Sequence, residues 1–480
     1  MSTAVPHLPA LRWGEEYASL TTLELKDHRT GASVGRLSQV NAGLLRRDLK
    51  RAASSGRALH ALTTRQILER CRAAAELFLE AELPLDAGRT QNGAQYRAML
   101  AATGGLPLAL ARANQEKLAG VLRELPTILA GLTRGLAPEA LDASVSEHGG
   151  IPLWFAPQAR ALGAVLPSNS PGVNALWLPA LAFKFPLALK PGSGDPWTPW
   201  RLVQALIAAS LPREAFGLYP TDHEGAAAIL DGCERALLFG DARTTAPWAE
   251  KPSVEIHGPG RSKVWIGADE IEHWERHLDV LVDSIALNGG RSCVNASSVV
   301  VPSRGDEIAE ALAARLAELQ PLPLDHPQAR LAAFADASLA ERIDGAVSAA
   351  LAVPGAHEGS ARHRRGERCV KVAGSTFLQP TIVRCERRDH PLANTEYLFP
   401  FASVVEVPDA EALEWMGDTL VVAALTRDPE NLERVTRAKH VGRLNIGPFP
   451  TPSVRWDQPH EGNLFDFLYA RRAVQRAPGW

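Results

Sequence analysis

The feature that most limits how this chain can fold is an alternation of short apolar runs and amphipathic stretches between Ala161 and Phe239. Ala161–Leu166 reads as a strand, Val173–Phe183 as a helix, Leu187–Leu189 as a strand and Asp195–Ser210 as a helix, with Asp195 as cap and Pro196 at its first position. Phe216–Tyr219, His223–Leu230 and Arg235–Phe239 continue as strand, helix and strand. Parallel strands cannot be joined by a tight turn, so this spacing predicts right-handed βαβ units and a parallel sheet covered on both faces. A second alternation runs from Val299–Val301 through a helix at Asp306–Leu319 to strands at Ala402–Val407 and Val421–Leu425. The expected fold class is α/β, with two α/β domains and a hinge near Ser253–Gly260.

The remaining segments are read around that frame. Residues 1–60 look like an extended lead-in with one short helix near Val40–Leu49. Thr63 and Gln66 form a capping-box pattern, and Ile67, Cys71, Ala74, Ala75 and Phe78 follow at helical spacing until Leu83-Pro84. Further helix is expected at Asn92–Thr103 and from Leu106 to Leu132. From Ser144 the pattern changes: Val145 and Ile151–Phe155 flank His148-Gly149-Gly150, the signature of a two-stranded ribbon that stays in the domain or reaches a partner subunit.

At 480 residues the chain is too long for one ordinary core. Its formal net charge of −3 sets up no field that would recruit nucleic acid or an anionic membrane. The basic loop Arg362–Arg368 is read as a solvated turn rather than a nucleic-acid site. The longest apolar run, around Val173–Ala188, is interrupted by Pro179, Lys184 and Pro186 and is too short to span a bilayer. Five scattered cysteines without CxxC or paired histidine spacing argue against a disulfide framework or a metal site and favour a reducing, cytoplasmic setting. Met1–His7 lacks the basic and apolar regions of a signal peptide.

One cysteine stands in a glycine-flanked turn, Asn288-Gly289-Gly290-Arg291-Ser292-Cys293, after a helix expected at Arg276–Leu287. Catalysis by cysteine needs the thiolate, which Arg291 or nearby backbone N–H groups would stabilise; the alternative is a small buried hydrophobe. Lys190, closing a strand in Lys190-Pro191-Gly192-Ser193, suits a ribose or phosphate at the carboxyl end of the sheet, or is a surface lysine. Gly240 in Phe239-Gly240-Asp241 would let phosphates approach a helix N-terminus, although the Asp241 carboxylate opposes them. No G-x-G-x-x-G lies between strand and helix here. Glu255, ending an apolar stretch before a glycine-rich turn, is a general base or an exposed strand-end charge. Asn169, between Pro167-Ser168 and Ser170-Pro171, offers an amide to an oxyanion or is a turn residue.

In order along the chain, these segments resemble the aldehyde dehydrogenase superfamily from about Ala161 to Gln475. Pro167-Ser168-Asn169-Ser170-Pro171 is similar to its Pro-Trp-Asn-Phe-Pro motif, Leu189-Lys190-Pro191 to its Leu-Lys-Pro, Glu255-Ile256-His257-Gly258 to its Glu-Leu-Gly-Gly, and Asn288–Cys293 to its Asn-x-Gly-x-x-Cys loop. Phe377–Thr381, Glu396–Pro400 and Arg443-Leu444-Asn445 resemble its Pro-Thr strand, its Glu-Glu-Ile-Phe-Gly-Pro and its Val-Asn.

The resemblance implies an aldehyde dehydrogenase-like fold with Rossmann-like sheets: a cofactor domain at 1–143 and 159–254, an oligomerisation ribbon at 144–158, a catalytic domain at 255–440 and a C-terminal segment at 441–480. It implies Cys293 as nucleophile, Asn169 with the Cys293 backbone N–H as oxyanion donors, and Glu255 as the base that activates water. NAD or NADP is the implied cofactor, held by Pro167, Ser168, Lys190, Ser193, Gly240, Glu396 and Phe399. The partners implied are a small aldehyde and further copies of the chain, as homodimer or homotetramer. Several positions depart from the family pattern. Serines flank Asn169, Tyr397 stands where the ribose-binding glutamate is usual with Glu396 one position off, and Ser193 replaces a glutamate that favours NAD, with Asp195 nearby. Trp177, Phe183, Phe399 and Phe449 are candidates for an apolar tunnel, and the polar segment Trp456–Phe465, with His460, for its mouth or a subunit contact. The rival readings are a CoA-acylating enzyme, which Glu255 disfavours, and a catalytically silent scaffold.

Overall fold

The alternation that begins at Ala161 is a seven-stranded sheet in the computed structural model, which describes residues 5–475 and residue 477. Its strands are β1 (Ala10–Arg12), β2 (Glu15–Tyr17), β3 (Leu162–Val165), β4 (Leu187–Lys190), β5 (Phe216–Leu218), β6 (Arg235–Phe239) and β7 (Val254–His257), in the order β7-β6-β3-β4-β5-β1-β2. Strands β3 to β7 are parallel, and β1 and β2 add antiparallel. Leu162, Ala164, Leu187, Ala188 and Leu189 are wholly buried, as expected of parallel strands covered on both faces. From β3 the chain builds outward through β4 and β5, then returns to β6 and β7 on the other side. That reversal opens a crevice at the carboxyl ends of β3 and β6, the loops that carry Asn169 and Gly240.

The second sheet contains β8 (Ser262–Ile266), β9 (Ala296–Val301), β10 (Ala356–Glu358), β11 (Thr381–Cys385), β12 (Phe401–Glu406), β13 (Thr419–Leu425) and β14 (Val441–Ile446), ordered β10-β11-β12-β9-β8-β13-β14. All pairs are parallel except β10 with β11. The chain passes from the first sheet to the second through residues 258–261. Glu255 therefore stands on the first sheet and Cys293 on the loop entering β9.

The helical first third holds in part. Helix α1 (Thr64–Glu80) has its capping box, and Ile67, Cys71, Ala74, Ala75 and Phe78 are buried; α2 (Gly93–Gly104) and α3 (Leu108–Leu132) follow. The lead-in is more ordered than expected: β1 and β2 extend the first sheet, and Thr22–Lys26 pairs with Ser33–Ser38. The helix expected at Val173–Phe183 is instead a 3-10 segment at Pro171–Leu176 and a short helix at Pro179–Ala182, because Pro179 has no N–H to continue the first. The basic loop is not simply solvated. Arg364 and Arg368 turn inward onto Glu358, and Arg368 also meets Asp344 at 2.5 Å.

The predicted ribbon is present as Ser146–His148 paired with Ile151–Pro157 across Gly149 and Gly150, both at positive φ (59° and 78°), the geometry a tight two-residue hairpin turn needs. A strand at Tyr469–Arg472 adds to its other edge. All five cysteines are free thiols. Among the described residues no helix is long and apolar enough to cross a membrane, and no three His, Cys, Asp or Glu side chains are placed to hold a metal. Residues Met1–Ala4 lie outside the described residues.

Candidate active site

A cavity of about 620 Å³ opens where the two sheets meet, and Asn169, Glu255 and Cys293 all line it. The loop that carries Cys293 is a backbone feature first. Asn288, Gly289 and Gly290 adopt positive φ in succession (56°, 68° and 68°), and a side chain at Gly290 would collide with the backbone of Phe399 and Pro400. Asn288 ties the loop down: its amide donates to Ser170 Oγ (3.1 Å) and Ser292 Oγ (3.2 Å), and its carbonyl oxygen accepts from Asn114 Nδ2 of α3 (2.7 Å). Asn295 donates to the carbonyls of Ser284 and Leu287 and accepts from Ser292 N–H. Gly260 allows the crossing chain to pass against the Cys293 carbonyl, which also accepts from Ser262 Oγ at 2.9 Å.

Arg291 does not serve the sulfur. Its guanidinium is buried, donates to the carbonyls of Gly104 (3.0 Å) and Ala333, and lies over the Phe334 ring; desolvation lowers its pKa to about 10. Burial raises the Cys293 thiol well above its ordinary value, Glu461 and Glu396 push the same way, and Arg443 and the residue's own backbone N–H oppose them. The thiol is thus protonated in this arrangement and needs a base. Burial raises the Glu255 carboxyl above its ordinary value, the His257 charge opposing and Glu461 adding to the shift, which is the direction that strengthens a base. Asn169 donates one amide hydrogen to the Arg291 carbonyl at 2.9 Å, and no protein acceptor among the described residues takes the other.

One cluster escaped the sequence reading. The parallel register sets Phe239 beside His257, and their rings stack at 4.5 Å with 12° between planes. Glu461 Oε2 lies 2.8 Å from His257 Nδ1, off the line of a ring N–H, and Glu255 Oε1 lies 3.8 Å from Nε2. Burial alone would lower the His257 pKa; the two carboxylates overcome it, so it is raised. His257 stands at a glycine of the Glu-Leu-Gly-Gly pattern, and that departure was the one available signal. Glu461 comes from the polar segment after Trp456, which lines the cavity as expected. His460 lines it too, but burial and the nearby cations hold its pKa well below the ordinary value, so it is neutral.

Of the residues expected to hold a cofactor, Pro167, Ser168, Gly240 and Glu396 line the cavity, while Lys190, Ser193 and Phe399 do not. The side-chain amine of Lys190, at the end of β4, has no hydrogen-bond or ion-pair partner among the described residues, and burial lowers its pKa. A side chain at nearby Gly192 would collide with Pro167 O and Ser168 Oγ. Glu396 accepts from the backbone N–H groups of Arg261 and Gly260, and desolvation raises it to about 7. Ser193 is exposed. Asp195 is buried, accepts from Thr198 N–H (2.9 Å) and Oγ1 (2.7 Å), and so does not face a ribose. The Phe399 ring packs on Tyr397 and Phe401 in the core. The aromatic tunnel is likewise absent: Trp177 and Phe183 are core residues and Phe449 is exposed. An unpartnered lysine, a close glycine turn and a carboxylate facing the cavity suit the ribose hydroxyls of a dinucleotide. The diphosphate region differs, because Asp241 caps the short helix Ala242–Thr245 with its own carboxylate (Thr244 N, 2.8 Å).

Comparison with known proteins gives a consistent result. The family model described as "Aldehyde dehydrogenase family" matches residues 18–463. Among curated proteins the chain is similar to the geranial dehydrogenase of Castellaniella defragrans, 23% identical over 390 residues that cover 75% of each chain. Among solved structures it resembles an indole-3-acetaldehyde dehydrogenase complexed with NAD+ (TM-score 0.77, 19% identity, 98% of this chain and 97% of that one). It also resembles the aldehyde dehydrogenase KauB of Pseudomonas aeruginosa (TM-score 0.80, 18% identity, 98% and 97%).

Proposed function

Because the chain belongs to the aldehyde dehydrogenase family, we propose that it oxidises an aldehyde to the carboxylic acid with NAD or NADP, through a thiohemiacetal and a thioester on Cys293. The observation that carries this reading is the meeting of Asn169, Glu255 and Cys293, from three separate segments, in one cavity. Lys190 and Glu396 would hold the ribose hydroxyls of the cofactor, with Pro167, Ser168 and Gly240 against its body. When bound, the cofactor supplies the acceptor for a hydride.

The chemistry assigned to the protein follows from its groups. Glu255 takes the proton of the Cys293 thiol, directly or through water, and the sulfur forms a bond to the carbonyl carbon as the C=O pair moves onto oxygen. The free amide hydrogen of Asn169 faces that oxygen, and the Cys293 backbone N–H is the second donor. Loss of hydride, with its electron pair, leaves the acyl group on sulfur. Glu255 releases the thiol's proton to solvent and then removes a proton from water; the water oxygen bonds to the acyl carbon, the C–S bond breaks with its electron pair left on sulfur, and the acid leaves. His257, pinned between Glu255 and Glu461, keeps the base ionisable inside a buried wall.

The test is a plate of aldehydes with NAD or NADP, with and without CoA, followed by absorbance of the reduced nicotinamide. Reduction without CoA supports the hydrolytic reading; reduction only with CoA moves the protein to the acylating class; silence throughout supports the scaffold reading. Cys293→Ala is expected to abolish turnover, and Glu255→Gln, which removes the base for both thiol and water, to slow the first-turnover reduction of nicotinamide as well as the steady state. The ribbon, with Ile151 exposed at its tip, supports assembly as a homodimer or homotetramer. Five free cysteines and the absence of a membrane-crossing helix among the described residues support a cytoplasmic setting.

A further inference from the structure

Helix α3 faces the cavity with Leu110, Asn114, Lys117, Val121, Ile128 and Leu132, a stripe at helical spacing. Two of these are polar. The Asn114 amide is engaged by the Leu110 carbonyl and Asn288 Oδ1. The Lys117 side chain has no hydrogen bond and no ion pair among the described residues, and it lines the cavity on a wall that, Asn114 apart, is aliphatic. Surrounding protein lowers its pKa, with Arg443 adding to the shift and the Cys293 charge opposing it.

Arg443, on β14, stands behind the cavity lining rather than in it and is likewise without a counter-charge. One of its nitrogens donates to the Thr451 carbonyl at 2.6 Å; Nε and Nη1 are buried without an acceptor, and no carboxylate lies within ion-pair distance among the described residues. The carboxylates near the sulfur, by contrast, already have partners. Glu461 and Glu255 flank His257, and Glu396 accepts from backbone N–H groups. Arg455, also on the cavity wall, is paired with Asp457 at 2.7 Å. Two cations whose charges act on Cys293 are therefore left without a counter-charge: Arg443 keeps buried nitrogens unpaired, which is costly, and Lys117 presents an unmatched charge to the cavity.

We propose that Lys117, backed by Arg443, receives an anionic group carried by the substrate, so that this enzyme acts on short aldehydes bearing a carboxylate or phosphate rather than on neutral ones. The proposal rests on the reading of the site as aldehyde-oxidising. It places the anion on the α3 wall of the cavity that Glu255, His257 and Glu461 also line.

The test does not depend on turnover. Cys293 of the resting protein is alkylated with iodoacetate, which carries a carboxylate, and with iodoacetamide, its neutral counterpart. Lys117→Met is expected to slow iodoacetate by roughly tenfold, the worth of one charge-assisted hydrogen bond, while slowing iodoacetamide far less, and Lys117→Arg to restore the ratio. Equal slowing of both reagents would assign Lys117 to the thiolate and overturn the proposal, as would no change in either. In steady state, a carboxylate-ended aldehyde, a phosphate-bearing aldehyde and a methyl-ended aldehyde of matched length are compared. A higher kcat/KM for one of the charged pair identifies which anion is received, with the advantage collapsing toward one in Lys117→Met; equal kcat/KM for charged and neutral substrates overturns the proposal. If no aldehyde is turned over, the oxidative reading fails, while the alkylation ratio still decides the role of Lys117.

Discussion

Arg291 stands two residues before Cys293, and its charge goes elsewhere, to the carbonyls of Gly104 and Ala333. The charges that do act on Cys293 come from Arg443, Glu461 and Glu396, at least 100 residues further along the chain. This is the limit of what could be read from residues alone. Asn169, Glu255 and Cys293 each sit in a short motif at the end of a strand or in a glycine turn, so their placement follows from local pattern. The Glu255–His257–Glu461 contact and the unmatched Lys117 depend on segments that meet only after folding. Asp241 was legible both as a residue and as a conflict, since a carboxylate at a helix N-terminus takes the place of a phosphate. Asp241→Asn keeps an acceptor for Thr244 N–H and removes the charge. Cofactor Kd, measured by quenching of protein fluorescence, is expected to fall by roughly two- to fivefold, in line with a dipole-site charge worth about 0.3–1 kcal/mol. An unchanged Kd would place the diphosphate away from this helix.

At the scale of elements, the two runs of alternating strands and helices were readable because a parallel sheet demands long crossovers and apolar strands. What failed was the assignment of continuous helix to Val173–Phe183: hydrophobic spacing cannot register that Pro179 divides a 3-10 segment from a single helical turn. The lead-in strands were missed because they are two to six residues long and owe their pairing to distant partners such as β5. The crossing at residues 258–261 matters most for chemistry, since a side chain at Gly260 would strike the Cys293 carbonyl. Gly260→Ala is expected to cost about 1–3 kcal/mol, the usual penalty of overpacking, and to change the alkylation rate of Cys293. Urea unfolding and thiol labelling measure the two effects; wild-type values in both would show that the crossing yields without moving the loop.

For the whole molecule, the junction of the sheets carries a titration that should be visible in stability. Lys263 on β8 is completely buried, donates to the Arg261 carbonyl (2.6 Å) and Thr419 Oγ1 (3.2 Å), and has its pKa lowered by burial to about 7. The unfolded chain holds that proton to a much higher pH. Between the two values the unfolded state binds more protons, so this group's contribution to stability rises with pH from about 7 to about 10, at about 1.4 kcal/mol per unit. Glu396, raised to about 7, works in the opposite sense below that point: its contribution falls as pH rises from the usual carboxyl range. Lys263→Met is expected to raise Tm at pH 7 and to raise it less at pH 9. Equal gains at both pH values would mean that the amine does not titrate within the fold.

The segment that lines the substrate side, from Pro452 to Leu464, is followed by the strand Tyr469–Arg472, which pairs with Trp154–Pro157 of the ribbon. Folding during synthesis proceeds from the N-terminal end. Both large sheets can therefore assemble while His460 and Glu461 are still inside the ribosome, with the nucleophile present but its cavity open on one side. Until that segment arrives the sulfur lacks part of the burial and the Glu461 charge that raise its pKa in the finished site, so closing the cavity is also what holds the resting thiol protonated. The arrangement makes a complete site a late event in the life of the chain, reached only as the strand Tyr469–Arg472 docks on the ribbon.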